Sequence, residues 1–437
     1  MPNTIKIILA RAVWDSRGRP TVEVEVHLTG GAWGRAIAPS GASRGVREAL
    51  DLRDGGKRFQ GLGVDQAVKG VQSLIAPALL GLDVRDQALI DAKIMALDPT
   101  PLKSTLGANA TVATSLAVLH AAAAFAKQPL WQYIAATYNR TPSIPLPEIQ
   151  IFGGGAHAGR RVDIQDFMIM VPGANSFKEA LEVTAEVYHA AGELMAAKGQ
   201  IAGVADEGGW WPQFRSNEEA LETLLESIHR AGETPGKRVA ISLDVAASQF
   251  EKDGRYRLAL DNDDLSSEDM IALLGRWLDS YPIASIEDPL GEDDDAGMKA
   301  FTAAYGQRIQ IVGDDYLVTN AKLIRKSLAA NTCNTALIKV NQIGTVSEAI
   351  EAMDVAQGAG WHTIVSARSG ESEDTSIVDL SIGLNSGQLK VGSFSRSERM
   401  AKWNACLRVE EAMGSGAFVG GQPLKQTWWG KANPEKQ

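Results

Sequence analysis

IASIEDPL at 283–290, IQIVGDDYL at 309–317 and TALIKVNQIG at 335–344 are three short apolar runs rich in β-branched residues. Each ends on a charged side chain, Glu287, Asp314 or Lys339. Helix-length polar segments lie between them, a pattern of buried parallel strands joined by crossover helices. A fourth run, VAISLDVAAS at 239–248, carries Asp244 at its strand end. In a (β/α) barrel the side chains at the carboxyl ends of the strands converge on one face, where chemistry is done. Three carboxylates and a lysine arriving there bind a hard, oxygen-seeking cation, Mg²⁺ by preference, and leave the lysine to act as a base. The plainer alternative makes each acid an ordinary helix N-cap after its strand. Four charged residues at successive strand ends favour the metal.

The bulk properties bound the rest. A chain of 437 residues is longer than one average domain, so two domains, or one large barrel with an appendage, are expected. A net charge of −10 is the wrong sign for a nucleic-acid footprint. An acidic protein that handles an anionic substrate needs local positive charge, which a bound cation supplies. Cys333 and Cys406 form neither a metal-ligand spacing nor a disulfide framework, in keeping with a cytoplasmic protein. No secretory signal is evident, since Lys6 and Arg11 interrupt the first apolar run. Residues 104–126 carry no charge, but Asn109, His120 and several threonines and serines among the alanines mark a packed core helix, not a membrane span. His120 there reads as a core histidine.

From the N-terminus, TVEVEVHL at 21–28 alternates with period two and is followed by a TGG turn and a second strand, AWGRAIA. PSGASRG at 39–45 is a Gly/Ser-rich loop, either a plain connection or a mobile lid. From residue 46 to 127 the periodicity is helical. Residues 1–135 are therefore expected to form a small α+β domain, and the three prolines of NRTPSIPLP at 139–147 a linker. Strands and helices alternate from 140 to 415, with helices at 176–198, 216–231, 266–280, 321–330 and 345–358, most opening on Ser or Thr. The tail, 416–437, shows no periodicity and reads as a surface extension.

Ten motifs together resemble the enolase family: DSRGRPTVEVEV from Asp15, PSGASRG from Pro39, HAGRRVDIQDFM from His157, DEGGWWP from Asp206, SLDVAASQF from Ser242, SIEDPL from Ser285, VGDDYLVTN from Val312, IKVNQIGT from Ile338, SARSGESEDT from Ser366 and LKVGSFSRSERMAKWN from Leu389. They run from about residue 4 to 412 in the family's order. The resemblance implies an α/β fold, a small α+β N-terminal domain on a modified (β/α)8 TIM-type barrel, assembled as a homodimer or an octamer. It implies Mg²⁺ at two sites, one held by Asp244, Glu287 and Asp314 and a second recruited with the substrate at Ser43. Lys339 resembles the base that takes the C2 proton of 2-phosphoglycerate, Lys390 its partner at the substrate carboxylate, and Glu207 the acid that assists departure of the C3 hydroxyl. His157 resembles the histidine of a closing loop, and Arg368 and Ser369 resemble phosphate contacts. The chemistry agrees: a proton next to a carboxylate is very weakly acidic, and the dianion formed on its removal needs fixed positive charge. The same charge is expected to lower the pKa of Lys339 toward the working pH.

The chain also departs from the family. Ala367 stands where the family has histidine, Asp166 where it has glutamate and Ala156 where it has another glutamate. Arg160 and Arg161 replace small polar residues, and Trp210 and Trp211 follow DEGG. In the family the altered glutamate and histidine of the first two changes belong to the cluster around Glu207, which makes Asp166 a catalytic candidate here. Two of the changes remove volume, and two add arginines suited to gripping a carboxylate or phosphonate. These departures lead to a site that still forms an enolate from a phosphoglycerate- or phosphoenolpyruvate-like acid, but takes a second phosphorylated or phosphonylated anion on Arg160 and Arg161. The carboxyphosphonoenolpyruvate synthase of phosphinate natural-product pathways is an enolase relative of that kind. Two alternatives stay open: an ordinary phosphopyruvate hydratase, and a non-catalytic enolase-fold binding protein. Retention of three metal acids and two lysines speaks against the last, because a scaffold has no need to hold like charges together.

Overall fold

The computed structural model describes residues 3–436. Its first unit is an antiparallel meander of β1 (Ile5–Trp14), β2 (Pro20–Leu28) and β3 (Trp33–Ile37). Helix α1 (Ala108–Ala126) packs across β2 and β3. The approach is so close at Gly34 that a Cβ would lie 2.2 Å from the Ala121 nitrogen, which is why glycine stands there. By length and composition α1 could cross a membrane, but 83% of its apolar window is buried in this protein, so it is a core helix. His120 on its outer face is half-buried and meets the Ser376 hydroxyl at 2.7 Å.

The helical reading of residues 46–127 holds only in part. Helix begins at Asp65, and residues 46–57 are irregular. Their backbone is bonded outward instead: Ala49 N–H to the Gln342 carbonyl at 2.8 Å, Leu50 N–H to Leu102 at 2.7 Å and Leu52 N–H to the Asn109 side chain at 3.1 Å. Tertiary partners have overridden local propensity.

The second unit is a closed eight-stranded barrel. Its strands are β4 (Leu146–Gly153), β5 (Asp166–Met170), β6 (Ala240–Asp244), β7 (Ile283–Glu287), β8 (Gln310–Gly313), β9 (Thr335–Ile338), β10 (His362–Ser366) and β11 (Gly387–Ser393), and β11 pairs with β4 to close the ring. Two helices, α2 (Phe177–Ala197) and α3 (Asn217–Arg230), follow β5. One main helix then follows each strand: α4 (Ser267–Ser280), α5 (Asp295–Tyr305), α6 (Ala321–Ala330), α7 (Val346–Gly358, preceded by a single turn at Val340–Ile343), α8 (Ser376–Gly383) and α9 (Ser397–Met413). The order is therefore ββαα(βα)6, and β5 runs antiparallel to both neighbours. Side chains of Ser176, Ser216, Ser266 and Thr345 each accept the backbone N–H three residues on, and Asn320 caps α6. Each cap is worth about 1 kcal/mol.

The tail differs from its expected surface course. Leu424 and Trp429 are fully buried and pack with Leu146, Ala240 and Ala284 near the starts of their strands and with Met170 at the end of the reversed β5, stoppering the barrel opposite the acidic rim. The Trp429 indole donates to the Lys237 carbonyl at 2.9 Å, and that of Trp428 to Ile283 at 2.7 Å. An aperiodic segment gives no sign of this, because short 3₁₀ and α turns carry no stripe; the two indoles are held by a barrel that the tail's own residues do not describe.

Candidate active site

The charged residues that end the strands do meet. Asp244, Glu287 and Lys390 lie in β6, β7 and β11, while Asp314, Lys339 and Arg368 follow the last residues of β8, β9 and β10 by one or two positions. Asp166 joins them from the start of β5. Because that strand is reversed, its first residue reaches the rim that the others reach with their last, opposite Asp244 in register. Two loops complete a narrow cleft: Gly41 and Ser43 from the N-terminal unit, and His157 from the turn after β4, with Gln165, Glu207, Ser366, Ala367, Ser369 and Val391 on its walls.

Lys390 is the electrostatic centre. Its Nζ lies 2.9 Å from Asp244 Oδ2, 2.9 Å from Glu287 Oε2 and 3.6 Å from Asp166 Oδ2. Burial works against its charge, but Asp244 and Glu287 outweigh it and hold the ammonium well above the ordinary lysine range. Burial and the neighbouring Asp244 push Glu287 far up in turn. Lys339 Nζ donates to Asp314 Oδ2 at 2.5 Å. Burial pulls Lys339 down, but Asp314 and then Glu287 raise it above its usual value. The same contact draws Asp314 down against the opposing effect of burial.

On the other wall His157 sits between two acids, Nδ1 at 3.4 Å from Asp166 Oδ1 and Nε2 at 3.7 Å from Glu207 Oε1. Although burial opposes the charge, Glu207 and Asp166 raise the imidazole above its ordinary value. Asp166 is held down to about 2 by His157 against its own burial, and it accepts a short hydrogen bond from Gln150. Shortening glutamate to aspartate has thus left a working contact with the histidine.

The donor set fits a hard divalent cation. Asp244 Oδ1 and Glu287 Oε1 are buried with no hydrogen-bond partner among the described residues, and an unpartnered buried carboxylate oxygen is costly unless something positive meets it. Among the described residues the sets whose ligand atoms all lie within 4.8 Å of one another are His157 with Asp166 and Glu207, and Asp288 with Asp314 and Asp315; Asp244, Glu287 and Asp314 are not drawn together that closely. Sequence reasoning passed over Asp288 and Asp315, although both lie in quoted motifs. Asp288 braces the site: at a left-handed φ of 41° its carboxylate accepts the N–H of Asp314 at 3.0 Å and of Asp315 at 2.7 Å, which aims Asp314 inward. Gln165 and Gln342 do the same by side chain, donating to Asp244 Oδ2 and Asp314 Oδ1, each at 2.8 Å.

Arg160 and Arg161 are not brought in. Both are exposed. The Arg161 guanidinium lies over the Trp211 ring, 5.9 Å from its centre, and Arg160, at φ 55°, lines a separate outer cleft with Gln249, Phe250 and Arg257. The new tryptophan and the new arginine satisfy each other by cation–π contact outside the cleft. Ala367 stays buried on the cleft wall.

Comparison with known proteins decides the family. Residues 5–134 match the model of the enolase N-terminal domain, and residues 141–427 that of the enolase C-terminal TIM barrel domain. The chain belongs to the enolase family. It is 48% identical over 416 residues to "Enolase 1" of Desulfitobacterium hafniense (strain Y51), covering 94% of this chain and 95% of that relative. As an enolase-family protein it is an enzyme, a carbon–oxygen lyase, and the family's use of Mg²⁺ and small phosphorylated substrates agrees with the acidic rim described above.

Proposed function

We propose that the protein removes water from 2-phosphoglycerate to give phosphoenolpyruvate, with Mg²⁺ held by Asp244, Glu287 and Asp314. The observation that carries this reading is the presence, on one cleft, of a lysine beside the metal acids and a Glu207–His157–Asp166 set. Bound there, the cation would supply the positive charge that makes a proton beside a carboxylate removable. Lys339 takes the C2 proton, and engagement of Asp314 elsewhere is what frees its amine to do so. Lys390 orients the substrate carboxylate. Arg368 and Ser369 receive the phosphoryl group, and Ser43, on the lid loop, would help hold a second Mg²⁺. Glu207 delivers a proton to the C3 hydroxyl as it leaves, with His157 replenishing it under the restraint of Asp166.

The relative named Enolase 1 supports this reading over the synthase-like one, and so do the two arginines that lie outside the cleft. The exposed apolar residues of β1 (Ile7, Leu9, Trp14) fit a homodimer or octamer, and two buried free thiols fit the cytoplasm. Proton NMR of 2-phosphoglycerate with the protein and Mg²⁺ in D₂O tests the reaction. Phosphoenolpyruvate is expected to accumulate; C2 exchange without elimination would move the assignment to the two-substrate reaction.

A further inference from the structure

Arg368 reaches the cleft from the turn after β10 with its side chain 3% exposed, and its four terminal N–H hydrogens all have partners. Nη1 donates to Glu48 Oε2 at 3.0 Å and to Asn341 Oδ1 at 3.2 Å; Nη2 donates to the Ser43 carbonyl at 3.0 Å and to Glu48 Oε1 at 3.1 Å. Two of the four are thus a bidentate fork on Glu48, a buried residue of the other structural unit that follows the Gly/Ser loop. Glu48 Oε1 also accepts the Gly45 N–H and the Gln342 amide, each at 3.2 Å. Gln342 donates in turn to Asp314 and accepts from the Thr319 hydroxyl at 2.6 Å, which itself accepts the Lys339 N–H at 2.9 Å. One carboxylate therefore touches the arginine, the lid and the bracket that holds the acid and the base.

We propose that Glu48 is a positioning residue for the reaction, fixing the Arg368 guanidinium for the phosphoryl group and tying the lid to it. The inference rests on the enolase reading above. Of the four acceptor atoms on the guanidinium, the two neutral ones, the Ser43 carbonyl and Asn341 Oδ1, are those a phosphoryl oxygen can replace, while the charge-assisted fork to Glu48 keeps its grip. Gly41 closes the other side: a Cβ there would lie 2.0 Å from Nη2, so the guanidinium is packed close against the loop, and its carboxylate partner aims it. A mere staple between the two units would affect stability alone.

The test is Glu48→Gln, which keeps the size but turns an acceptor toward Arg368 into a donor. Steady-state kinetics with 2-phosphoglycerate and calorimetric titration with inorganic phosphate, both with Mg²⁺, are compared with wild type and with Arg368→Ala. Expected are a KM raised at least about tenfold with kcat within about threefold, and phosphate bound at least about tenfold more weakly. A lowered melting temperature with KM and phosphate affinity unchanged overturns the proposal. Should Glu48→Gln fail to fold, Glu48→Asp carries the test and must raise KM in the same direction. If wild type does not dehydrate 2-phosphoglycerate but phosphate binding weakens in both variants, the reaction assignment falls and the role of Glu48 stands.

Discussion

Lys390→Met removes the ammonium that bridges Asp244 and Glu287 while leaving the volume filled. Both carboxylates are about 2% exposed on their side chains and 2.9 Å from the lost nitrogen, so they are left facing each other without the ammonium that contacts both, with Lys339 alone still favouring ionised Glu287. Breaking a buried ion pair by deleting one partner costs about 3–5 kcal/mol. The cost depends on pH with a definite sign. Glu287 is already pushed above the carboxylate range by burial and Asp244, and loss of Lys390 pushes it further, so the folded variant binds protons that the unfolded chain does not. The variant's stability is therefore greatest below the unfolded carboxylate pKa, about 4, and is lost as pH rises through the raised folded value. A cation that engages the acids must reverse the loss, by about 2.7 kcal/mol at a hundredfold excess over its Kd. Urea unfolding near pH 5 and near pH 8, with and without Mg²⁺, reads all three effects. Equal stability of variant and wild type near pH 8 without Mg²⁺, or no recovery on adding it, would refute the reasoning.

Other expectations follow from single contacts. Glu207→Gln is expected to lower the dehydration rate by about 10²–10⁴ while exchange of the C2 proton in D₂O persists; loss of both would place Glu207 on the proton-abstracting side. Trp429→Ala, which empties the stopper of the barrel, is expected to cost about 3–5 kcal/mol in urea unfolding, and a loss under about 1 kcal/mol would mean that the tail is a passenger. Asp379 accepts the Trp131 N–H at 3.1 Å, and burial pushes its carboxyl up to about 7. The folded state then holds a proton that the unfolded chain has released, so stability falls as pH rises from about 4 to about 7 and stays low above. Asp379→Asn should flatten that limb, by at most about 4 kcal/mol because the residue keeps some solvent access; an unchanged pH dependence would show that the carboxylate is ionised throughout.

The residues at strand ends were legible because each closes an apolar run, and a charge at that place has few other uses. Strand direction was not. DFMIM at 166–170 reads the same either way, and only the closed ring shows that reversal of β5 brings Asp166 to the rim. The arginines misled for a related reason: sequence showed two new cations in a loop over the cleft, but not that Trp211 would hold one of them outside. Spacing puts Lys339 among the strand-end acids, yet its shift depends on whether Asp314 faces it or a cation, which no spacing expresses. Glu48 left no local trace, since its partner is 320 residues away.

The central claim is that Lys339, at the end of β9, removes the C2 proton. Lys339→Ala and wild type, each with 2-phosphoglycerate and Mg²⁺ in D₂O, test it directly by loss of the C2 proton signal. Exchange is predicted to be lost in the variant and rapid in wild type; exchange at the wild-type rate in Lys339→Ala would contradict it.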